Sequence, residues 1–346
     1  MSISKKKIIH YLSTTSKGEI NKLFSKANAL TEKLYQNKIH FRGIIEFSNI
    51  CEKNCCYCGL RKDLKIDRYQ MTKEDILKCA KFCSDMGYGS IVLQSGELTT
   101  DKRLEFLINI ISTIKKKYNL GMTLSLGELP KESLKELFKA GGHRYLLRIE
   151  TSNEKLYKKL HPNDKNHSFQ NRLNALENLK SLGYQVGTGV MIGLPFQTYE
   201  DLANDILFFK DFDVDMLGMG PYVPHPKTPL YKSPPILKDN FTLSLKMVAL
   251  SRLVLKDVNI AATTALQVFD KQGREKALLA GANILMPIVT PTDLRKNYLI
   301  YPDKPCVEDT KEKCFNCITG RLKSIKKEMG QNNWGDSKHF YRRTKK

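Results

Sequence analysis

Eight short apolar runs, separated by amphipathic stretches, constrain this chain more than any other feature. His40–Phe47, Ser90–Leu93, Met122–Ser125, Tyr145–Ile149, Val186–Ile192, Asp215–Gly218, Ile260–Thr264 and Asn283–Pro287 read as strands. Thr72–Met86, Asp101–Tyr118, Lys131–Ala140, Asn171–Leu182, Tyr199–Phe212, Leu243–Leu255 and Gly273–Ala280 read as the intervening helices. Thr72 is placed to cap the first of these, with Asp75 in its first turn. Strand–helix alternation of this kind predicts parallel βαβ units. Eight such units close into a (β/α)8 TIM barrel of the α/β class. The barrel is expected over 39–300, after a polar helical extension over 1–38 and before a polar tail, 301–346, with cysteines of its own. Pro221–Pro235 reads as an ordered loop after the sixth strand, and neither internal repeats nor low-complexity segments interrupt the pattern.

With 41% hydrophobic and 27% charged residues, the 346-residue chain has ordinary globular composition and can bury a large core. Its 57 basic and 36 acidic residues give a formal charge of +21. Much of the excess is lysine in polar helical stretches such as Lys115–Lys117, which reads as a solvated surface. No aromatic-interleaved basic patch points to nucleic acid. No run approaches the ~18 apolar residues of a membrane span. No apolar segment of a secretory signal follows Lys5–Lys7. Neither a nucleic-acid nor a membrane partner is therefore expected. The nine cysteines are odd in number and clustered, which fits metal ligation in a reducing compartment. The cytoplasm is the expected location. An organellar presequence stays open, because residues 1–18 are basic and Ser/Thr-rich with no acid before Glu19.

Cys51, Cys55 and Cys58 form a C-x3-C-x2-C motif just after the first strand. A loop in that position sits at the C-terminal mouth of a barrel, where barrel active sites lie. Iron–sulfur clusters are normally held by four cysteines, so three leave one iron open to substrate or cofactor. The alternative is structural zinc, which prefers paired cysteines and a full set of four ligands. Cys56 reads as a bystander between ligands, and Tyr57 as an aromatic able to shield a cluster.

A C-x3-C-x-aromatic-C motif after the first barrel strand resembles the radical S-adenosylmethionine (radical SAM) superfamily. The likeness extends along the chain through Ile45–Asn49, Cys58–Arg61, Arg68-Tyr69, Ile91–Glu97, Thr123–Glu128, Arg144–Arg148, Gly220–Pro226, Thr263-Thr264 and Gly281–Asn283. These segments are similar to the HydE family of [FeFe]-hydrogenase maturases, whose relatives include methylornithine synthase and biotin synthase. The resemblance implies a [4Fe–4S] cluster whose open iron chelates S-adenosylmethionine. One electron then cleaves the sulfonium to methionine and a 5′-deoxyadenosyl radical.

It also implies roles for individual residues. Gln94–Glu97 stands where members often carry Gly-Gly-Glu, so Ser95 and Glu97 are expected near the cofactor's methionine amine, the bland reading of Glu97 being a solvated loop acid. Arg148 and Glu150, two apart on a strand, should share the lumen face and line the cofactor and substrate sites. Arg144 should lie deeper on the same face, and Ile149 should point to the helices. Arg172 resembles the arginine that grips the cofactor carboxylate; a surface salt bridge is its alternative. Ser125 and Gly127 end the third strand, and a glycine there permits close approach of a ligand. Thr263 and Thr264 end the seventh strand, where a hydroxyl can meet an anion. Met219 and Pro221–Pro224 resemble the segment along the adenosine, and Tyr298 and Tyr301 look like a cap on the mouth. Each of these could equally be packing. His225, between prolines, reads as a loop constraint, and Cys79 and Cys83 as packed thiols.

The implied substrate is an iron–cysteine complex with carbonyl and cyanide ligands. It is delivered by the maturase HydG, its cysteine sulfur is attacked by the radical, and the product passes to HydF. A ferredoxin or flavodoxin is the implied reductant. An organic substrate, as in methylornithine synthase or biotin synthase, is the alternative. Cys306, Cys314 and Cys317 resemble an accessory-cluster site found in some family members, with zinc or no metal as the alternative.

Overall fold

The computed structural model describes residues 3–345, so residues 1, 2 and 346 of the two expected terminal segments lie outside the described residues. Eight parallel strands form the barrel: β1 (Lys38–Ser48), β2 (Ser90–Ser95), β3 (Gly121–Ser125), β4 (Arg144–Leu146), β5 (Gln185–Thr188), β6 (Met216–Leu217), β7 (Asn259–Ile260) and β8 (Ile284–Leu285). They neighbour one another in chain order, with β8 beside β1. Closure comes from a parallel bridge between Ala261 and Ile284, where Asn283 N donates to Ile260 O at 2.9 Å. From Ile39 onward every residue of β1 is buried, as expected of a parallel strand covered on both faces.

The strands after β3 are shorter than their apolar runs. The run expected to be one strand over Val186–Ile192 breaks after Thr188 and resumes as Met191–Ile192, paired with Gly220–Pro221. The break lies where two backbones press together: a Cβ on Gly189 would sit 2.1 Å from Gly218 O. Likewise the run Tyr145–Ile149 is regular strand only to Leu146.

Helices α1 (Lys5–Ser13) and α2 (Lys17–Tyr35) precede the barrel. Around it run α3 (Lys73–Asp85), α4 (Asp101–Tyr118), α5 (Lys131–Ala140), α6 (Glu154–Leu160), α7 (Phe169–Ser181), α8 (Tyr199–Asp211) and α9 (Asn240–Leu255). Thr72 caps α3 as read, accepting from Asp75 N at 3.2 Å. Buried residues run unbroken from Leu243 to Arg252 in α9, because α1 and α2 cover its outer face.

Residues 301–345 of the segment expected as a tail fold back onto the barrel. Lys311–Ser324 is a helix and Glu328–Met329 pairs with the start of β1. The next turn plugs the N-terminal end. Trp334 O accepts from Ser90 and Arg144, and Gly335 O accepts from Arg42 and Asn259. Asp336 pairs with Arg144, which lies deep in the barrel as expected. No helix among the described residues is long and apolar enough to cross a membrane.

Candidate active site

A cavity of about 350 Å³ opens at the C-terminal mouth, and Cys51, Cys55 and Cys58 line it. A larger depression of about 1260 Å³ lies at the plugged end, but no cysteine lines it. Reactive chemistry therefore places the candidate site at the mouth.

The cysteine loop is shaped by its own cations. Arg68 donates to Asn49 O at 2.7 Å, Leu60 O at 2.8 Å and Arg61 O at 2.7 Å, drawing the loop into a closed curve. Gly96 lets β2 approach it, since a Cβ there would lie 2.3 Å from Ile50 O. The end of α6 and the segment after it clamp the other side. Cys56 N donates to Leu160 O and Asn54 N to His167 Nε2, each at 2.9 Å. His161 Nδ1 faces Tyr157 O, a pure acceptor, so the ring donates there and its Nε2 accepts from Tyr57 OH at 3.2 Å. Burial holds His161 down at about 3, so the ring is neutral.

Burial raises all three thiols, Cys58 up to about 12, and neighbouring sulfurs add to the effect, Cys58 and Cys51 on Cys55 and Cys51 on Cys58. Only a metal's positive charge would turn such a trio into thiolates at neutral pH. Among the described residues no three His, Cys, Asp or Glu side chains converge on a single-ion position. A cubane spreads its thiolates over separate irons, so this donor set fits an iron–sulfur cluster better than zinc.

Behind the loop lies a buried network of four charges. Lys53 Nζ meets Glu97 at 3.1 Å and Glu128 at 3.0 Å, and the other oxygen of Glu128 holds Arg172 Nε. Burial works against the charge on Arg172, yet Glu128 raises its pKa well above the ordinary value. Burial also pushes Glu97 up against the pull of Lys53. Glu97 further accepts from Glu128 N at 2.8 Å, through close packing against Gly127 in the left-handed region. Glu97 is thus a paired buried acid, not a solvated one.

Arg148 and Glu150 both line the cavity and touch at 2.9 Å. Strand alternation is not the cause, because β4 has ended and Glu150 has φ +66°. Arg148 Nε has no partner within the described protein, which leaves a donor for a ligand. Ile149 is buried in the core outside the lumen, as expected.

The other expected residues divide into several kinds. Ser125, Thr264 and Tyr301 line the cavity. Tyr298 lines it too, its hydroxyl receiving Gln94 Nε2 at 3.2 Å. Ser95 and Thr263 also line it, but their hydroxyls are engaged by Gly96 O with Arg103, and by Met219 O at 2.9 Å. Met219 is a correction. Its side chain is buried in the core while Gly218 and Gly220 face the cavity, because consecutive residues of the run alternate outward and inward. Cys56 packs with Leu160, Tyr222 and Leu230, away from the lumen. His225 packs against Gly59, and Cys79 and Cys83 lie in the core.

Cys306 and Cys314 meet thiol to thiol. Hydrogen bonding from Cys314 lowers the Cys306 thiol against the effect of burial. Cys317 is exposed beside Arg321, one turn along the same helix.

Sequence reasoning missed Lys53, although it stands inside the cysteine motif. It also missed Glu46 and Lys304, a buried pair at 2.5 Å in the cavity wall, with Glu46 Oε2 unpartnered. Nothing local marks Lys304, which arrives from beyond β8.

The Radical SAM superfamily model matches residues 45–209. The [FeFe] hydrogenase maturase subunit HydE of Thermotoga maritima is 45% identical over 334 residues, covering 95% of this chain and 92% of that one. The 3-methylornithine synthase of Methanosarcina acetivorans is 28% identical over 284 residues, covering 82% and 78%. In fold, the crystal structure of methylornithine synthase matches with a TM-score of 0.84 at 23% identity, covering 96% of this chain and 95% of that one. A barrel with three cysteines at its mouth and this depth of identity leave one assignment: the chain belongs to the radical SAM superfamily and, within it, to the HydE family of [FeFe]-hydrogenase maturases.

Proposed function

We propose that this enzyme acts in building the diiron subsite of [FeFe]-hydrogenase, on an iron–cysteine precursor carrying carbonyl and cyanide ligands. HydG would supply that precursor and HydF receive the product. The observation that carries the reading is the cysteine trio facing a walled cavity, in a chain 45% identical to a HydE over nearly its whole length. When bound, a [4Fe–4S] cluster with S-adenosylmethionine at its open iron supplies the one-electron cleavage that yields methionine and a 5′-deoxyadenosyl radical.

The chain's residues do the holding and shielding. Cys51, Cys55 and Cys58 ligate the cluster, and Arg68 fixes their loop. Arg172, anchored by Glu128, presents positive charge to the cofactor carboxylate. Arg148 Nε offers a donor and Glu150 an acceptor. Ser125, Thr263 and Tyr222 line the walls, while Tyr298 and Tyr301 exclude water from the mouth. Cys306, Cys314 and Cys317 would hold any second cluster, which needs Cys317 to turn in toward the other two.

The test is anaerobic reconstitution with iron and sulfide, followed by EPR of the reduced protein with and without S-adenosylmethionine. A [4Fe–4S]⁺ signal that shifts on addition, with 5′-deoxyadenosine formed, is expected. Cys51→Ala, Cys55→Ala and Cys58→Ala should each abolish both. A protein that makes deoxyadenosine but leaves the iron–cysteine complex unchanged would instead favour an organic substrate.

A further inference from the structure

The outer face of the cysteine loop is built differently from its lumen face. Cys56, between two candidate ligands, is half-buried, and its backbone is held by Leu160 O on one side and Leu230 N on the other, each at 2.9 Å. Leu160 ends α6, whose outer surface carries exposed Lys155, Lys158 and Lys159. Leu230 lies in a short helical turn, Pro229–Lys232, which exposes Tyr231 and Lys232. Lys159 Nζ stands 4.3 Å from the ring centroid of Phe196. Phe196 and Tyr231 are two of the few large apolar side chains exposed among the described residues, at 42% and 52%.

The cations of this face are largely free. Lys158 is paired with Glu154 at 2.7 Å, whereas Lys155, Lys159 and Lys232 have no acidic partner among the described residues. On the opposite flank, Cys51 is followed by exposed Glu52. Lys155, Lys159 and Lys232 therefore put unpaired positive charge beside the loop on this side. One residue of covalent chain separates that surface from Cys55.

Resting on the radical SAM reading above, we infer that this face, centred on Cys56 and edged by Lys155, Lys159, Lys232, Phe196 and Tyr231, docks an acidic one-electron carrier protein. Lysines steer such a partner at long range, and the two aromatic side chains at the edge add a small apolar contact. Electron-transfer encounters are small and transient, as this patch suits. In the step itself a reduced flavin hydroquinone gives up one electron and becomes the semiquinone. Its acceptor would be the cluster that Cys51, Cys55 and Cys58 would hold, and the electron would serve the reductive cleavage of S-adenosylmethionine to methionine and the deoxyadenosyl radical.

The test uses the reconstituted full chain, a bacterial flavodoxin and the triple variant Lys155→Glu/Lys159→Glu/Lys232→Glu. With dithionite as reductant, deoxyadenosine formation should be unchanged within about twofold. With flavodoxin hydroquinone, the apparent KM for flavodoxin should rise at least about tenfold at low salt, and its salt dependence should disappear. Independently of turnover, carbodiimide should cross-link flavodoxin carboxylates to Lys155, Lys159 or Lys232 of the unmutated protein. Equal flavodoxin-driven rates in the two proteins, or cross-links mapping to the plugged end of the barrel, would overturn the inference. Failure of dithionite itself to drive cleavage would count against the radical SAM reading, and the cross-link map would still decide the docking face.

Discussion

Glu128 is the keystone of the charges behind the cysteine loop, and its removal has a calculable cost. One of its oxygens serves Arg172 Nε and the other Lys53 Nζ at 3.0 Å. In Glu128→Ala, Lys53 keeps Glu97 at 3.1 Å, but buried Arg172 is left without a carboxylate. Stranding one partner of a buried pair costs about 3–5 kcal/mol. Arg172→Ala is the milder lesion, because Glu128 retains Lys53, and should cost roughly 1–3 kcal/mol. Urea titration of the full chain under anaerobic conditions reads both, provided the slope is unchanged. The pH dependence has a definite sign. Burial pushes the Glu128 carboxyl up, but Arg172 and Lys53 more than reverse this and hold it below its ordinary value of 4.5. A depressed acid contributes fully above its unfolded pKa, and its contribution drains away as pH falls. The penalty of Glu128→Ala should therefore be complete at pH 7 and shrink below about pH 4.5. A penalty under about 1 kcal/mol, or one larger for Arg172→Ala than for Glu128→Ala, would refute the keystone argument.

Two further perturbations separate wall from packing. Met219→Leu, in the core, should cost less than about 1.5 kcal/mol and leave deoxyadenosine formation within twofold. Gly220→Val adds bulk at a site where a Cβ already meets Thr263 Oγ1 at 2.7 Å, and calorimetric binding of S-adenosylmethionine should weaken at least tenfold. Lys304→Met strands buried Glu46 and should cost about 3–5 kcal/mol by denaturant titration, most of it recovered when Glu46→Gln is added.

What was legible in the sequence was whatever depends on near neighbours. The start of α3 could be read because Thr72 marks it, and the cysteine loop because its three thiols fall within eight residues. The lumen-facing parity of Arg148 and Glu150 was right for the wrong reason. The strand ends before them, and a left-handed residue restores the direction that alternation would have given. Met219 failed for the opposite reason: its run does alternate, and the glycines on either side take the inward positions. Glu46 and Lys304 were invisible because 258 residues separate them, and no local pattern encodes a pair that only barrel closure brings together.

The last 46 residues were read as a tail because they are polar, and their polarity has a structural cause. Polar side chains from β1, β2, β4 and β7 gather at the N-terminal end of the barrel, where the strands' own backbone groups are committed to their ladders. Arg42, Ser90, Arg144 and Asn259 all need acceptors there, and one carboxylate, Asp336, cannot serve them all. The carbonyls of Trp334 and Gly335 do, so the plug works by offering backbone rather than apolar bulk. The same stretch sends Lys304 into the mouth to neutralise Glu46. A segment that must satisfy buried cations at one end of a barrel and a buried acid at the other has to be polar, and so looks like solvent-exposed chain until the barrel it closes is in view.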